Sequence, residues 1–241
     1  LKNRKENYHE YKNKIKQEYP ITPEEAFIAS GDSVFDKEMI QNRIILLKNT
    51  KTVRKGWFEY KRECIPVYNS KGEIESTKWV LKDIRWKDNR DGYIVIHEEP
   101  EVRVAQGNVS GKAPYVIGGD TAGSGEDYFT AKVINNLNGK TVATLRKQRI
   151  SEDVYAEQLY CLGKMYHDAL IGIETNYSLH PMRVLSHKYS YPNLYMRERI
   201  DGMTDKVERV YGFETTRKTK PIIISELVEL MEEDPAIECD I

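Results

Sequence analysis

The chain has 241 residues, a formal net charge of −1 and 31% charged residues, so its length fits one large domain or a medium domain with an appendage, and any basic surface is local. Three cysteines, Cys64, Cys161 and Cys239, are widely spaced and odd in number, which argues against a disulfide framework or a Cys-type zinc site and makes a reducing compartment the simplest reading. No apolar run approaches the roughly 20 residues that span a bilayer and no signal peptide opens the chain, so no membrane partner is expected.

In chain order, "LKNRKENYHEYKNKIKQEYP" lacks an initiator Met and reads as a polar helix, the tail of something longer. "TPEEAF" starts a helix, with Thr22 as N-cap, Pro23 at the first helical position and acids in the first turn. The pattern breaks at Gly31 and restarts with Asp36 as cap. Residues 1–50 are therefore read as a helical segment. Between 51 and 114 the aromatic and β-branched content rises in "GWFEYKRE", "KWVLKDIRWK" and "DGYIVIHEE", separated by the turn-like "NSKGE" and "DNRDG"; a small antiparallel β appendage is expected.

After Pro114 three strands follow, "YVIGGD", "YFTAKVIN" and "KTVATLRKQR", the last two joined by the hairpin turn "NLNGK". Then come an amphipathic helix capped by Ser151, the largely apolar strand "ALIGIET", a helix over "SLHPMRVLSHKY", a fifth strand "NLYMRER" and a helix over "KPIIISELVELMEED". This order predicts a mixed α/β sheet flanked by helices over 115–241.

Asp120 ends the first of these strands and Glu174 ends the fourth. A carboxylate at the end of a buried strand is costly unless paired or bound to a cation, and strand ends are where open α/β sheets place their ligands. If the two strands are neighbours, their acids converge on one point that suits Mg2+ or Mn2+, and the implied chemistry is two-metal phosphodiester hydrolysis. The plainer readings are that Asp120 accepts amides from the turn "TAGSG" and that Glu174 caps the helix after "TNYS".

"GGDTAGSGEDYFTAKVI", followed at this spacing by "IGIETN", resembles the nuclease half of the large terminase subunit of tailed bacteriophages, an RNase H-like fold. "QEYPITPEEAFIASGDSVFD" is similar to a segment that this family carries just after its packaging ATPase domain. The resemblance implies an RNase H-like mixed five-stranded sheet, with 1–50 as a linker from an upstream ATPase domain and 115–241 as a nuclease core truncated at its C-terminus. It implies Asp120 and Glu174 as catalytic metal ligands, Asp127 as an accessory catalytic acid, and two ions of Mg2+ or Mn2+. It also implies double-stranded DNA as substrate in concatemeric form. The implied partners are the ATPase domain of the same polypeptide, the portal protein and the small terminase subunit, in the host bacterial cytoplasm at the prohead portal. The third main acid of the family is expected beyond Ile241, and Asp240 is not assigned to that role. No Walker A pattern occurs.

The loop "GFETTRKTKP" offers Thr216, Arg217, Lys218 and Lys220 as contacts to DNA phosphates, against a plain solvated basic loop. "LRKQR", 145–149, reads as a solvated strand end, and His167, His180 and His187 as surface or capping residues. A Holliday-junction resolvase or integrase shares the carboxylate logic but not the "TPEEAF" segment. A non-cleaving DNA- or portal-binding module is the other alternative. An actin-like ATPase would need a second phosphate loop.

Overall fold

A computed structural model of the protein describes residues 35–48, 54–101, 115–123, 127–200 and 207–234. The expected helix start at Thr22 lies outside them. Helix α1, Lys37–Lys48, starts where expected, with the Asp36 carboxylate accepting the Met39 amide at 3.0 Å.

Strands β1 (Arg54–Tyr68) and β2 (Ile74–Asp88) form a long hairpin. Asn69 closes its turn by accepting the amides of Lys71 and Glu73, an Asx-turn that competes with further pairing. The ladder shifts register twice, between Val67 and Tyr68 near the turn and between Glu59 and Lys61, where Asp83 takes a positive φ of 51°. A second Asx-turn at Asn89, which accepts the Asp91 amide at 2.8 Å, leads into β3 (Ile94–Ile96).

The core strands are β4 (Tyr115–Asp120), β5 (Tyr128–Asn135), β6 (Thr141–Gln148) and β7 (Leu170–Ile173). Helix α2 (Glu152–Met165) separates β6 from β7 and starts on Ser151, whose hydroxyl accepts the Val154 amide at 3.3 Å. Helix α3 (His180–Arg183) runs into a π-turn over Val184–Lys188. Then come β8 (Met196–Ile200), β9 (Val207–Tyr211) and α4 (Thr219–Glu233).

One seven-stranded sheet has the order β2-β1-β3-β6-β5-β4-β7. Its four core strands are an antiparallel meander, β4 to β6, with β7 added parallel to β4, which is the RNase H-like arrangement. The β appendage is not a separate sheet: β3 pairs antiparallel with β6, so the hairpin extends the core sheet edgewise. The expected fifth core strand is reduced to a bridge between Leu194 and Ile171. The rest of "NLYMRER" leaves the core sheet and pairs with β9 in a two-stranded sheet.

Alternation along the strands sends Ile117, Ala131, Val133, Ala143, Leu145, Ile171 and Ile173 to one face, where each is at most 3% exposed. Helix α2 covers that face: a Cβ on Gly119 would meet Tyr155, Ile173 and Leu159. The larger of these, Ile117, Val133, Leu145, Ile171 and Ile173, each contribute roughly 1.5–3 kcal/mol by leaving water. The same helix also holds the hairpin. Gln158 accepts the Phe58 amide at 2.9 Å and donates to the Phe58 carbonyl at 2.8 Å. The buried Glu157 carboxylate accepts from Arg62 (2.7 and 2.6 Å), Tyr60 (2.8 Å) and Tyr189 (2.5 Å).

Candidate metal centre

The opposite face of the sheet is half-exposed, and the site lies at one end of it. Register pairs Gly118 with Gly172 and Gly119 with Ile173 across the parallel β4–β7 ladder, so the next residues along, Asp120 and Glu174, come side by side. Period-2 alternation puts both on the face away from α2, because their neighbours Gly119 and Ile173 point into the core. The Glu174 amide donates to the Gly119 carbonyl at 2.8 Å, which carries the ladder to the acid itself. Gly118 leaves the floor beneath them bare, since nothing lies within 4 Å of a Cβ built there.

The Glu174 carboxyl stands close enough to Asp120 for its charge to act on it. Burial first, and the Glu174 charge second, push the Asp120 carboxyl above its ordinary value, against a backbone hydrogen bond from Thr121. Like charges so close do not both ionise without a cation between them. Thr121, next in the chain, has the only buried side-chain polar atom among the described residues without a hydrogen-bond partner. Two hard carboxylate oxygen donors beside an unsatisfied hydroxyl fit an oxygen-loving divalent cation rather than a soft metal. Among the described residues no group of three or more His, Cys, Asp or Glu is gathered.

Asp127 stands apart from this pair. Its charge is felt at Asp120, and its Oδ2 lies 3.6 Å from where a Gly123 Cβ would be, but it does not complete a three-acid cluster. The plainer reading of Glu174 as a helix cap is not what the structure shows: Glu174 bridges to Phe213, and the Ser178 hydroxyl accepts the His180 amide of α3.

The pair opens into a cavity of about 670 Å³ lined by residues of β4, β5, β6 and β7, including Thr130, Lys132 and Arg146, and by Phe213, Thr215 and Ile223. Arg146 sits at the rim with its guanidinium 3.7 Å from the centroid of the Tyr128 ring. Within "LRKQR" Leu145 is buried while Arg146 and Arg149 are exposed, as at a solvated strand end, but Arg146 shares the carboxylates' cavity. Only the β5–β6 register reveals this, because Asp120 pairs with Thr130 and Thr130 with Arg146.

The basic loop is clipped to the site by Asn176, which accepts the Thr215 amide at 2.9 Å and donates to the Thr215 carbonyl at 2.6 Å. Arg197 braces it further through Glu214 (2.8 Å) and the Gly212 carbonyl (3.0 Å). Thr216 is engaged in capping α4: its hydroxyl accepts the amides of Lys218 and Thr219, and its own amide donates to Thr219 Oγ1. Arg217, Lys218 and Lys220 are exposed, and Arg217 and Lys220 line a recess with Pro221 and Ile224 on α4. The histidines stay away from the acids: His180 pairs with Asp153 at 3.0 Å, and His167 bonds the Glu101 carbonyl at 2.8 Å. No helix among the described residues is long and apolar enough to cross a membrane.

No protein-family model matches the chain. No curated protein sequence matches it either. Among solved structures it is similar to the large terminase nuclease from thermophilic phage G20c, at 18% identity over 63% of this chain and 68% of that one, with a TM-score of 0.42. The same nuclease with bound magnesium is similar at 16% identity over 63% and 67% of the two chains, TM-score 0.42. The Thermus phage P74-26 large terminase nuclease domain is similar at 18% identity over 63% and 65%, TM-score 0.40.

Proposed function

We propose that this chain is a divalent-metal-dependent DNA endonuclease domain of the terminase large-subunit kind. The observation behind this reading is the Asp120–Glu174 pair, two acids brought side by side at the ends of adjacent parallel strands, above a floor without side chains. Asp120 and Glu174 would hold the cation, magnesium or manganese. A cation of this kind, once bound, would make a water more acidic and offset charge on the phosphoryl oxygens.

The chain's own groups do the rest. Asp120 and Glu174 together form the seat for the cation. Arg146, at the rim of the same cavity, attracts the phosphodiester. Asp127 stands close enough to bias the charge at Asp120 and serves as the accessory acid. The reaction consumes one water, breaks one P–O ester bond and leaves a hydroxyl end and a phosphate monoester end. Thr216 supports the basic loop as a cap, while Arg217, Lys218 and Lys220 are its DNA contacts. In this role the substrate is concatemeric double-stranded DNA in the bacterial cytoplasm at the prohead portal. The partners are an ATPase domain of the same polypeptide, the portal protein and the small terminase subunit. The support for that setting is the sequence resemblance over 17–36 and from Tyr115 onward.

The test is cleavage of supercoiled plasmid with magnesium or manganese. Asp120→Ala is expected to lower the rate by about 10²-fold or more, the scale of removing a group that holds transition-state charge. Undiminished cutting by the variant refutes the assignment. A second reading, a module that holds DNA without cutting, is favoured by the two-acid count at the site among the described residues. Binding without cleavage by the unaltered chain would support it.

A further inference from the structure

Helix α4 buries none of its 15 residues, whereas the similarly long α2 is buried along one side. Its Ile223, Leu227 and Leu230 are 40%, 42% and 51% exposed. Spacings of four and three residues place these side chains on one stripe of the helix. Lys220, three residues before Ile223, and Asp234, four residues after Leu230, continue the stripe at its two ends, and both are exposed. The stripe therefore reads cation, three aliphatic side chains, anion, at the alternation of three and four residues with which helices pair. Ile224, Val228 and Met231 flank it, half-buried.

The charges of α4 are set against the helix that carries them. Acids in the first turn and bases in the last stabilise a helix, yet the first turn of α4 has no acid and the last no base. Lys220 stands in the first turn, and Glu232 and Glu233 in the last. Glu226, Glu229 and Glu232 follow one another three residues apart, and Glu233 lies four beyond Glu229, so like charges are neighbours on the helix surface. No residue from Arg217 to Glu233 takes part in a salt bridge among the described residues. A second helix running antiparallel removes these penalties together: its acidic end lies on the basic start, and its macrodipole opposes the first.

We propose that the Lys220–Asp234 stripe is a self-association surface, which pairs α4 with α4 of a second copy of this chain, antiparallel about a two-fold axis at Leu227. Lys220 and Asp234 each lie seven residues from Leu227, about 10 Å along the helix. Lys220 of each copy thus falls opposite Asp234 of the other, with Ile223 beside Leu230 and Leu227 beside its own counterpart. A two-fold contact needs such a self-complementary surface. A purely acidic or purely basic partner satisfies one end of the stripe, whereas a second copy satisfies both. With only about 22 Å of helix to bury, the contact lies at the small end of specific interfaces, and the pair forms and separates with concentration. Arg217 and Lys218 precede the helix and stay off the stripe. Ile223 also lines the carboxylate cavity, so the second copy borders that cavity. The surface needs neither metal nor DNA, and it does not rest on the nuclease reading.

The experiment is sedimentation equilibrium of the 241-residue chain at low salt, from about 1 to 200 μM, the range in which weak interfaces dissociate. The average mass is expected to climb with concentration toward that of two chains. Leu227→Glu, which sets two like charges on the axis, is expected to hold the mass at one chain throughout. Lys220→Glu and Asp234→Lys, each alone, oppose like charges at both ends of the pair and are expected to weaken association. Their equimolar mixture is expected to restore it, because a copy of one with a copy of the other regains attraction at both ends. A mass of one chain at every concentration overturns the proposal and means that the stripe is covered within the chain or meets a different partner. Association that survives Leu227→Glu overturns it by placing the contact elsewhere, and a mixture that stays as weak as its components overturns the antiparallel register.

Discussion

The Asp120 carboxyl sits where burial, and then the Glu174 charge, favour its protonated form over the ordinary value of 3.8. A carboxyl whose folded pKa exceeds its unfolded one takes up protons on folding. It therefore detracts from stability at neutral pH, and the deficit shrinks as pH falls through the raised value. Asp120→Asn is accordingly expected to melt higher than the unaltered protein at pH 7, with the gap narrowing in acid. Thermal melts at several pH values check this, and equal melting at pH 7 would count against the strained pair. The same sign predicts that cation binding weakens as pH falls, since the proton and the ion compete for one seat. Both acids were legible in the sequence because strand-end carboxylates stand out against apolar runs. Arg146 was not, because its place beside them depends on the pairing register and on which face α2 covers. Nor was the capping by Thr216, which depends on where α4 begins.

Helix α2 has two polar residues on its buried side, Glu157 at 0% and Gln158 at 2% exposure. An amphipathic pattern assigns such residues to solvent, and they are buried only because the β1–β2 hairpin lies over them. Their partners are far off in sequence, with Arg62 removed by 95 positions, so local periodicity holds no sign of the contact. Burial raises the Glu157 carboxyl, but hydrogen bonds from Arg62, Tyr189 and Tyr60 outweigh it, and the group stays below its ordinary value of 4.5. A depressed carboxyl contributes stability above its unfolded pKa and loses it as pH drops through the folded one. Glu157→Ala is expected to cost about 3 kcal/mol, the low end for breaking a buried ion pair, because Arg62 is half-exposed. Chemical denaturation at pH 7 checks the size. Repeating it below pH 4.5 should show the difference from wild type shrinking, and a constant difference would assign the loss to packing instead.

On the scale of the molecule, the β3–β6 pairing and the α2 contacts make hairpin and core one cooperative body. The protein provides its own probes for this: all three tryptophans, Trp57, Trp79 and Trp86, belong to β1 and β2, whereas most other described elements lie in the core. Tryptophan fluorescence thus reports the hairpin, and far-UV circular dichroism reports the whole. The two are expected to trace coincident unfolding transitions. An earlier fluorescence transition would mean that the hairpin separates as its own unit. The meander and its crossover to β7 could be read from strand and helix spacing alone. The union of the two sheets could not, because it runs through three residues of β3 that resemble many short apolar runs.

That union leaves β2 as the outer margin of a wide sheet, a position that invites other chains to add strands. Lys78, Lys82 and Lys87 line this margin, and the Asp83 bulge breaks its straightness. An incoming strand would meet ammonium groups where it needs apolar neighbours and a kink where it needs continuous register. The sheet can therefore run to seven strands without becoming a seed for fibrils.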